Sequence, residues 1–361
     1  MNDIARIRLA NERLDGNPLE SPTDVVRHLC AVQSQDFAGG KWAIALRCNG
    51  FDDAAITRMF NNGEILRTHI MRPTWHFVLP EDIRWLQALT SPRVNRFNAH
   101  YYAKAGLDDA TFKRTNRAIA KALKGGEYLT RNEIADVLRT IGVDVSGNAL
   151  ANVVMRAELD CVVCSGPLRG KQFTYALLDE RVPQTPARAH DESLAELTMR
   201  YFTSHGPATA HDFAWWCYLT VAEARNGIAM IRSTLETIDA DGKTFFWRPT
   251  TTIREQLHNG RSGPVVHLLP NYDEHFVGFK NHKPLFDDVV SSALKDGPNA
   301  LMAHIITSDG KIIGGWRRSI GSKCATIEPI LLRRLSKREQ IALEKALLAY
   351  ERFLGMPVAM V

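Results

Sequence analysis

Thr130-Arg131-Asn132-Glu133-Ile134-Ala135-Asp136-Val137-Leu138 is the run that decides how this chain folds. A threonine followed three residues later by a glutamate is a capping box. Its hydroxyl and carboxylate each take a backbone N–H that a helix start leaves without an intrahelical partner. Gly142 closes the helix, and Ser146-Gly147-Asn148 opens another, Ala149–Leu159, with apolar Leu150, Val153, Val154 and Ala157 at helical spacing. Cys161-Val162-Val163-Cys164 then reads as a strand with two small half-buried thiols. Ser165–Gly170 reads as a turn and Phe173–Leu178 as the returning strand. Helix, turn, helix and hairpin in that order are the plan of a winged helix-turn-helix, with Arg169 and Lys171 at the tip of the wing.

The capping chemistry recurs on both sides. Ser21-Pro22-Thr23-Asp24 precedes Val25–Leu29, and Thr209-Ala210-His211-Asp212 precedes Phe213–Trp216. After the later box, Thr220-Val221-Ala222-Glu223 caps a second helix through Ile231, and Leu235–Asp239 pairs with Lys243–Trp247 across an Asp241-Gly242 turn. The earlier copy is the least regular. Its helix ends in a glutamine-rich stretch, Ile56–Asn61 supplies a second helix, and Ile65–Arg67 with Thr74–Leu79 forms its hairpin. Beyond these copies, Val265–Leu269, Phe276–Phe279, Ala303–Thr307, Lys311–Trp316 and Cys324–Ile330 are short apolar runs separated by turn residues. Lys337–Leu354 is a closing helix. The expected fold is therefore α+β: tandem winged helix-turn-helix modules over residues 1–104, 105–185 and 186–255, followed by a small C-terminal β-barrel or curled sheet over 256–361. Linkers are expected near Ala105–Asp109 and Pro183–Asp191.

Bulk properties narrow the function. A chain of 361 residues exceeds one ordinary core. Its 45% apolar content is globular, and no apolar run approaches the roughly 18 residues of a membrane span. No apolar h-region follows Met1-Asn2-Asp3, so a cytoplasmic protein is expected. Of the six cysteines only Cys161 and Cys164 have metal-like spacing, and no second pair completes a zinc site, so no metal and no cofactor are expected. The net charge of +5 is unevenly spread. Lys311, Arg317, Arg318, Lys323, Arg333, Arg334, Lys337 and Arg338 stand against Glu328 alone, and a second basic run with His69, His76 and His100 covers 65–104. Solvated surface is the default meaning of such runs, yet two of them make a polyanion a candidate partner.

Ala31-Val32-Gln33-Ser34-Gln35-Asp36 is the candidate for chemistry. If the segment is extended, Gln33 and Gln35 point the same way; if helical, they diverge by about 200°. An amide does not titrate, but it can hold a water and aim its carbonyl dipole at developing positive charge. The bland alternative is that both glutamines hydrogen-bond a helix end.

Val32-Gln33-Ser34-Gln35-Asp36, Met71-Arg72-Pro73-Thr74-Trp75-His76, Leu269-Pro270-Asn271-Tyr272-Asp273 and Gly315-Trp316-Arg317-Arg318, in that order, bring a family into view. The chain resembles the tandem winged-helix DNA glycosylases of the AlkZ/YcaQ type over nearly its whole length. The resemblance implies a C-shaped assembly of winged helices and a β-barrel around duplex DNA, an encircling fold expected to work as a nucleoid-associated monomer. The implied activity is a monofunctional glycosylase that excises cationic alkylated purines from duplex DNA and, in some members, unhooks interstrand crosslinks. Gln33 and Gln35 match the family's Gln-x-Gln branch, whereas Pro73 and Trp75 depart from the usual glycine and aliphatic residue. On this reading Gln33 holds the water and Gln35 turns its oxygen towards the sugar. Lys41 is a possible Schiff-base amine, and Asp36 is a cap, an ion-pair partner of a nearby arginine such as Arg47, or a backup base.

The DNA-binding candidates are Arg72, His76, Arg169, Lys171, Arg317 and Arg318. His76 is read equally as a phosphate contact or a half-buried structural histidine, and Arg72 as a phosphate partner or an ion pair with Asp273. Arg317 and Arg318 are consecutive on a strand, so they face opposite ways. The alternatives to an enzyme are a non-enzymatic winged-helix regulator, reading DNA through Ala149–Leu159, or a scaffold. A regulator would prefer one duplex sequence, and a scaffold would ignore DNA at low salt.

Overall fold

The computed structural model describes residues 2–259, 263–286 and 304–361. The chain divides into two compact units: Met1–Ile56 with Ala195–Trp216 and Val221–Val361, and Thr57–Leu194 with Cys217–Thr220. The first division falls inside the segment expected as the first module.

The first unit begins with α1 (Asn2–Asn11) and α2 (Pro22–Leu29). Ser21 caps α2, its hydroxyl accepting the Asp24 N–H at 3.2 Å. The short strand β1 (Val32–Gln33) leads into α3 (Phe37–Ala45), a helix not expected from its two consecutive glycines. Asp36 starts it by accepting the Gly39 N–H at 3.0 Å. Gly39 is required by space, because a Cβ there would lie 2.8 Å from Asp36 Oδ2 and 3.3 Å from Pro270 Cβ. Helix α4 (Asp53–Asn62) follows.

In the second unit β2 (Leu66–Ile70) and β3 (Arg72–Val78) form an antiparallel hairpin. It is tighter than the sequence suggested: Met71 alone, at φ 59°, separates the strands where residues 68–73 were expected to loop. The 25-residue α5 (Pro80–Lys104) carries Pro92 inside it, which hides it from a periodicity reading. Next come α6 (Asp109–Leu123), β4 (Leu129–Thr130), α7 (Arg131–Thr140) and α8 (Gly147–Leu159). The Thr130–Glu133 box is formed reciprocally. Phe112 and Ile119 of α6, Ile134 and Leu138 of α7, and Val153 and Val154 of α8 share one buried cluster. Strands β5 (Val163–Ser165) and β6 (Thr174–Leu177) complete a three-stranded sheet in the order β4-β6-β5. The expected strand Cys161–Cys164 starts late: Cys161 sits in a turn at φ 56°. Burial pushes the Cys161 thiol up to about 11 and the Cys164 thiol up to about 12, so both stay protonated near neutrality. The short α9 (Leu178–Arg181) ends this run.

The chain returns to the first unit within α10 (His190–Ser204), followed by α11 (Ala210–Cys217) and α12 (Val221–Met230). Thr209 and Asp212 form the third box, and the second oxygen of Asp212 accepts the N–H groups of Lys280 and Asn281 at 3.0 and 2.8 Å. Strands β7 (Glu236–Ala240) and β8 (Lys243–Trp247) pair across Asp241 and Gly242, at φ 51° and 67°. These values are the left-handed pair that a two-residue hairpin turn demands and that glycine supplies without steric cost.

After α13 (Thr251–Asn259), β9 (Val266–Leu269) begins the C-terminal sheet. Phe276–Phe279, expected as a strand, instead follows the start of a short helix, α14 (Glu274–Val277). Asp273 caps α14 by accepting the His275 N–H at 2.9 Å. The remaining strands are β10 (Ile305–Ser308), β11 (Lys311–Ile320) and β12 (Ala325–Leu331). Ala303, expected at the start of β10, lies outside the described residues. Helix α15 (Lys337–Leu354) has the expected bounds, and β13 (Val358–Met360) then adds in parallel beside β12. The order β13-β12-β11-β10-β9 makes a curled sheet whose first and last strands are not paired to each other. Its buried face meets α15 and α3: Trp42 packs against Tyr350 and Phe353, each with ring centroids 5.0 Å away.

Candidate active site

The glutamine motif runs from β1 to the start of α3, so its first half is extended. Gln33 is buried, Ser34 is buried and Gln35 is exposed. The Gln33 N–H donates to Glu274 Oε1 at 2.8 Å. Glu274 is itself fully buried, and its other oxygen accepts the Trp216 indole N–H at 2.9 Å with His205 Nε2 at 3.3 Å. His205 stacks on Tyr201, their planes 11° apart. A carboxylate without water is stable only when hydrogen bonds satisfy it, and these partners do so. The backbone of Gln33 is thereby fixed from below by residues more than 170 positions away.

The turn that delivers Glu274 is Pro270-Asn271-Tyr272-Asp273. Tyr272 adopts φ 65°, a left-handed conformation that costs a bulky residue about 1–2 kcal/mol. Its neighbours hold it there. Asp273 is buried and binds Arg47 through two bonds, Nη1 to Oδ2 at 2.9 Å and Nη2 to Oδ1 at 2.8 Å. Arg47 also donates to the Glu12 and Ala43 carbonyls at 2.9 and 2.8 Å. Burial is the largest single influence on the Arg47 pKa and lowers it, but the charge and hydrogen bonds of Asp273, joined by Glu12 and Glu274, together outweigh it and the net shift is upward. Beside them His275 places Nδ1 2.6 Å from Glu12 Oε2 and Nε2 2.9 Å from the Gly310 carbonyl. Burial alone would depress its pKa; acceptors at both ring nitrogens, Glu12 foremost, raise it.

Asp36, after the glutamines, has both oxygens engaged. Oδ1 caps α3, and Oδ2 accepts from Arg318 Nη2 at 3.1 Å. Arg318 Nη1 donates to the Tyr350 hydroxyl at 2.9 Å, which ties β11 and α15 to the motif. The arginine that pairs with Asp36 is therefore Arg318, not Arg47, which the sequence suggested. Lys41 is 5% exposed and forms an ion pair with Asp53 at 2.7 Å.

The DNA-binding candidates divide between the units. In the first, Arg317 points outward with 65% of its side chain exposed, 3.6 Å from Glu328, while Arg318 turns inward. In the second, Arg72 is half-buried and His76 is buried, with Nδ1 3.0 Å from the Thr74 carbonyl. Asp273, considered as a partner for Arg72, is taken by Arg47. Arg169 is tied back to Glu133 and to the Tyr128 carbonyl, both at 2.6 Å, and Lys171 is exposed. Sequence reasoning missed Glu274, His205 and Trp216. Only the proximity of Glu274 to Asp273 signalled it, since a buried carboxylate is recognised by partners that are distant in sequence.

Comparison with known proteins completes the picture. Residues 26–353 match the family described as DNA glycosylase AlkZ-like. The chain belongs to the AlkZ-like DNA glycosylase family. It is thus an enzyme acting on N-glycosyl bonds in DNA. One relative of this glycosylase is the interstrand DNA cross-link repair glycosylase of Streptomyces sahachiroi, 22% identical over 325 residues that span 86% of this chain and 85% of the relative. The solved structure of Streptomyces sahachiroi DNA glycosylase AlkZ superposes with a TM-score of 0.79 at 22% identity, covering 100% of this chain and 99% of that one. The glycosylase therefore shares that fold. No described helix is long and apolar enough to cross a membrane, and no described cluster of His, Cys, Asp or Glu could hold a metal ion.

Proposed function

We propose that this glycosylase hydrolyses the N-glycosidic bond of cationic alkylated purines in duplex DNA, with Gln33 and Gln35 as its catalytic side chains, and that it also unhooks interstrand crosslinks made through such purines. The observation that carries this reading is the clamp of buried Glu274 on the Gln33 N–H. It fixes the backbone from which the neutral Gln33 side chain projects, while the charged neighbours Asp36 and Lys41 are occupied in structural pairs.

The chemistry follows from charge. Alkylation at N7 or N3 leaves the purine cationic and a good leaving group, so no strong acid is needed at the base. What remains is to place a water and to stabilise C1′ as it becomes positive. Gln33, buried and held by its backbone, positions the water; Gln35, exposed two residues on, turns its amide oxygen to the sugar. The ion-paired Lys41 favours a water nucleophile over a Schiff base. No step calls for a metal or cofactor. The crosslink activity in the name of the Streptomyces sahachiroi relative supports the second half of the proposal.

Residues 1–104, 105–185 and 186–255 are proposed as winged-helix modules, with 256–361 as the C-terminal sheet domain of a protein that works as a monomer at the nucleoid. Arg317, Arg72 and Lys171 contact phosphate, where each charge neutralised adds to the salt dependence of binding. Arg169 stiffens the wing, His76 the hairpin, and Arg318 holds Asp36.

Incubation with a duplex containing 7-methylguanine, scored by chromatography of the freed base, tests the proposal. Gln33→Ala and Gln35→Ala are each expected to slow release about 10²–10³-fold, the effect of removing one preorganised dipole elsewhere, with duplex affinity retained. Loss of affinity in step with release would assign both glutamines a structural role instead.

A further inference from the structure

From Ile83 to its end at Lys104, helix α5 of the second unit contains no acid. At 3.6 residues per turn, Arg93, Arg96, Phe97, His100, Tyr101 and Lys104 fall within an arc of about 140° on its last turns. Val94, Asn98 and Tyr102 hold the other side and are buried. Phe97 and Tyr101 are each 53% exposed, two large rings side by side in water. Their centroids lie 6.4 Å apart with the planes tilted by 50°. Each ring has one near-perpendicular neighbour: Tyr218 stands 5.6 Å from Phe97, and His100 stands 5.8 Å from Tyr101. Arg93 is taken up over the Tyr218 ring, 5.5 Å from its centroid, whereas Arg96, His100 and Lys104 are exposed. The next acids along the chain are already engaged. Asp108 caps α6 by accepting the Thr111 N–H at 2.7 Å, and Asp109 lies 3.4 Å from Arg156.

The basic cavity of the same unit beside α7, which has Arg67, Arg131 and Lys171 in its lining, is filled by comparison. There Arg67 is 7% exposed, with its guanidinium 4.3 Å from the Trp75 ring and 4.5 Å from that of Phe173. On α5 about half of each ring faces solvent. An occupant of this face must bring negative charge and flat apolar surface together. A second copy would set Arg96 and Lys104 against themselves across a two-fold axis. Paired DNA brings phosphates, but its bases are stacked on one another and present no open face to a ring. An acidic peptide matches the charge, but its apolar side chains seek a groove, and this is the convex side of a helix. An unpaired strand supplies both phosphates and open bases. We propose that this face of α5 binds single-stranded DNA, with bases lying on the outer sides of Phe97 and Tyr101 and phosphates at Arg96 and Lys104. Rings that accept any base, beside cations that follow the backbone, hold an unpaired strand without reading its sequence. The proposal does not rest on the roles of Gln33 and Gln35, and its test reads binding alone, so failure of one does not imply failure of the other.

The test measures full-chain affinity for an oligothymidylate and for an abasic oligodeoxyribose phosphate of the same length, which differ only in the bases. The oligothymidylate is expected to bind about tenfold more tightly, the scale of one stacked base. Phe97→Ala with Tyr101→Ala, which changes no charge, should bring that ratio to about one and leave affinity for the abasic strand unchanged. Phe97→Leu with Tyr101→Leu, which keeps apolar bulk without a ring, should do the same. Arg96→Gln with Lys104→Gln should weaken both strands alike and reduce the salt dependence, with thermal melting confirming that every variant is folded. A thymidylate preference that survives loss of both rings would place the stacking elsewhere and overturn the proposal. Equal wild-type affinity for the two strands would also overturn it, leaving these cations as a general DNA-attracting surface. Binding of a glutamate- and phenylalanine-rich peptide, with neither strand bound, would give the face to a protein partner and overturn it too.

Discussion

The surroundings of Glu274 and the cavity beside α7 use charge in opposite ways. Around Glu274, buried charges are matched within the fold: Asp273 with Arg47, His275 with Glu12, and Glu274 with a backbone N–H and an indole. Around the cavity, three cations share a lining with no acid. Charges taken out of water must find partners as the chain folds, and they then fix the positions of whatever they hold. In the cavity Arg67 is buried against two aromatic rings, and of its cations only Lys171 is exposed to solvent, where it can meet an outside anion. The first arrangement fixes the strand that carries Gln33.

Acid gives the broadest test of the matched region. His28 and His267 each place Nε2 against a carbonyl, Asn11 at 2.6 Å and Leu14 at 2.7 Å, and burial lowers both from 6.5 to about 4. A depressed histidine pKa means that the unfolded chain takes up protons more readily. Stability should therefore fall as pH drops from about 6.5 to about 4, on the order of 3 kcal/mol for each imidazole, and denaturant midpoints across that range would show it. His275 runs the other way. Its folded pKa is raised, so its contribution is complete below 6.5 and is lost as pH rises through the folded value.

Breaking one pair comes next in size. Arg47→Met strands a buried carboxylate, and unfolding in urea should register a loss of about 3–5 kcal/mol. Adding Asp273→Leu should recover much of it, because the cost lies in the orphaned charge. Glu274→Ala removes the acceptor of the Gln33 and Trp216 N–H groups, at about 1–3 kcal/mol per orphaned donor. It should reduce base release more than duplex affinity, and Glu274→Gln should restore part of the rate. The smallest effect is expected at Asp36→Asn. Asparagine caps a helix as well as aspartate, and its amide oxygen still accepts a hydrogen bond from Arg318 at the position of the carboxylate. Release should stay within a few-fold of wild type, whereas a general base at this position would show as about 10²–10⁴-fold.

Much of this molecule was legible where local chemistry decides structure. The boxes at Thr130 and Thr209 bond in both directions as expected, whereas at Ser21 only the hydroxyl takes a backbone N–H and Asp24 accepts the Ser21 hydroxyl instead; Asp241-Gly242 turns its hairpin, and Lys337–Leu354 is a helix with those bounds. Helix α3 was hidden because Gly39 and Gly40 disfavour a helix, and the close approach of Asp36 and Pro270 explains Gly39. Helix α5 was hidden by Pro92. Phe276–Phe279 was misread because apolar residues in a short run fit strand and helix equally, and the capping bond from Asp273 settles the matter. The candidate site was legible in its polar residues and illegible in what holds them.

What the sequence alone determined is everything carried by neighbours a few residues apart: caps, turns, the period of each helix, the run of cations, and the pair of glutamines. Burial and partnership were decided by the tertiary structure. Gln33 and Gln35 look equivalent in the sequence, but folding buries one above Glu274 and exposes the other. Arg317 and Arg318 likewise part, one to solvent and one to Asp36. The reason is that a hydrogen bond or ion pair within the fold depends on distance in space, and residues 33 and 274 meet only after the chain has closed.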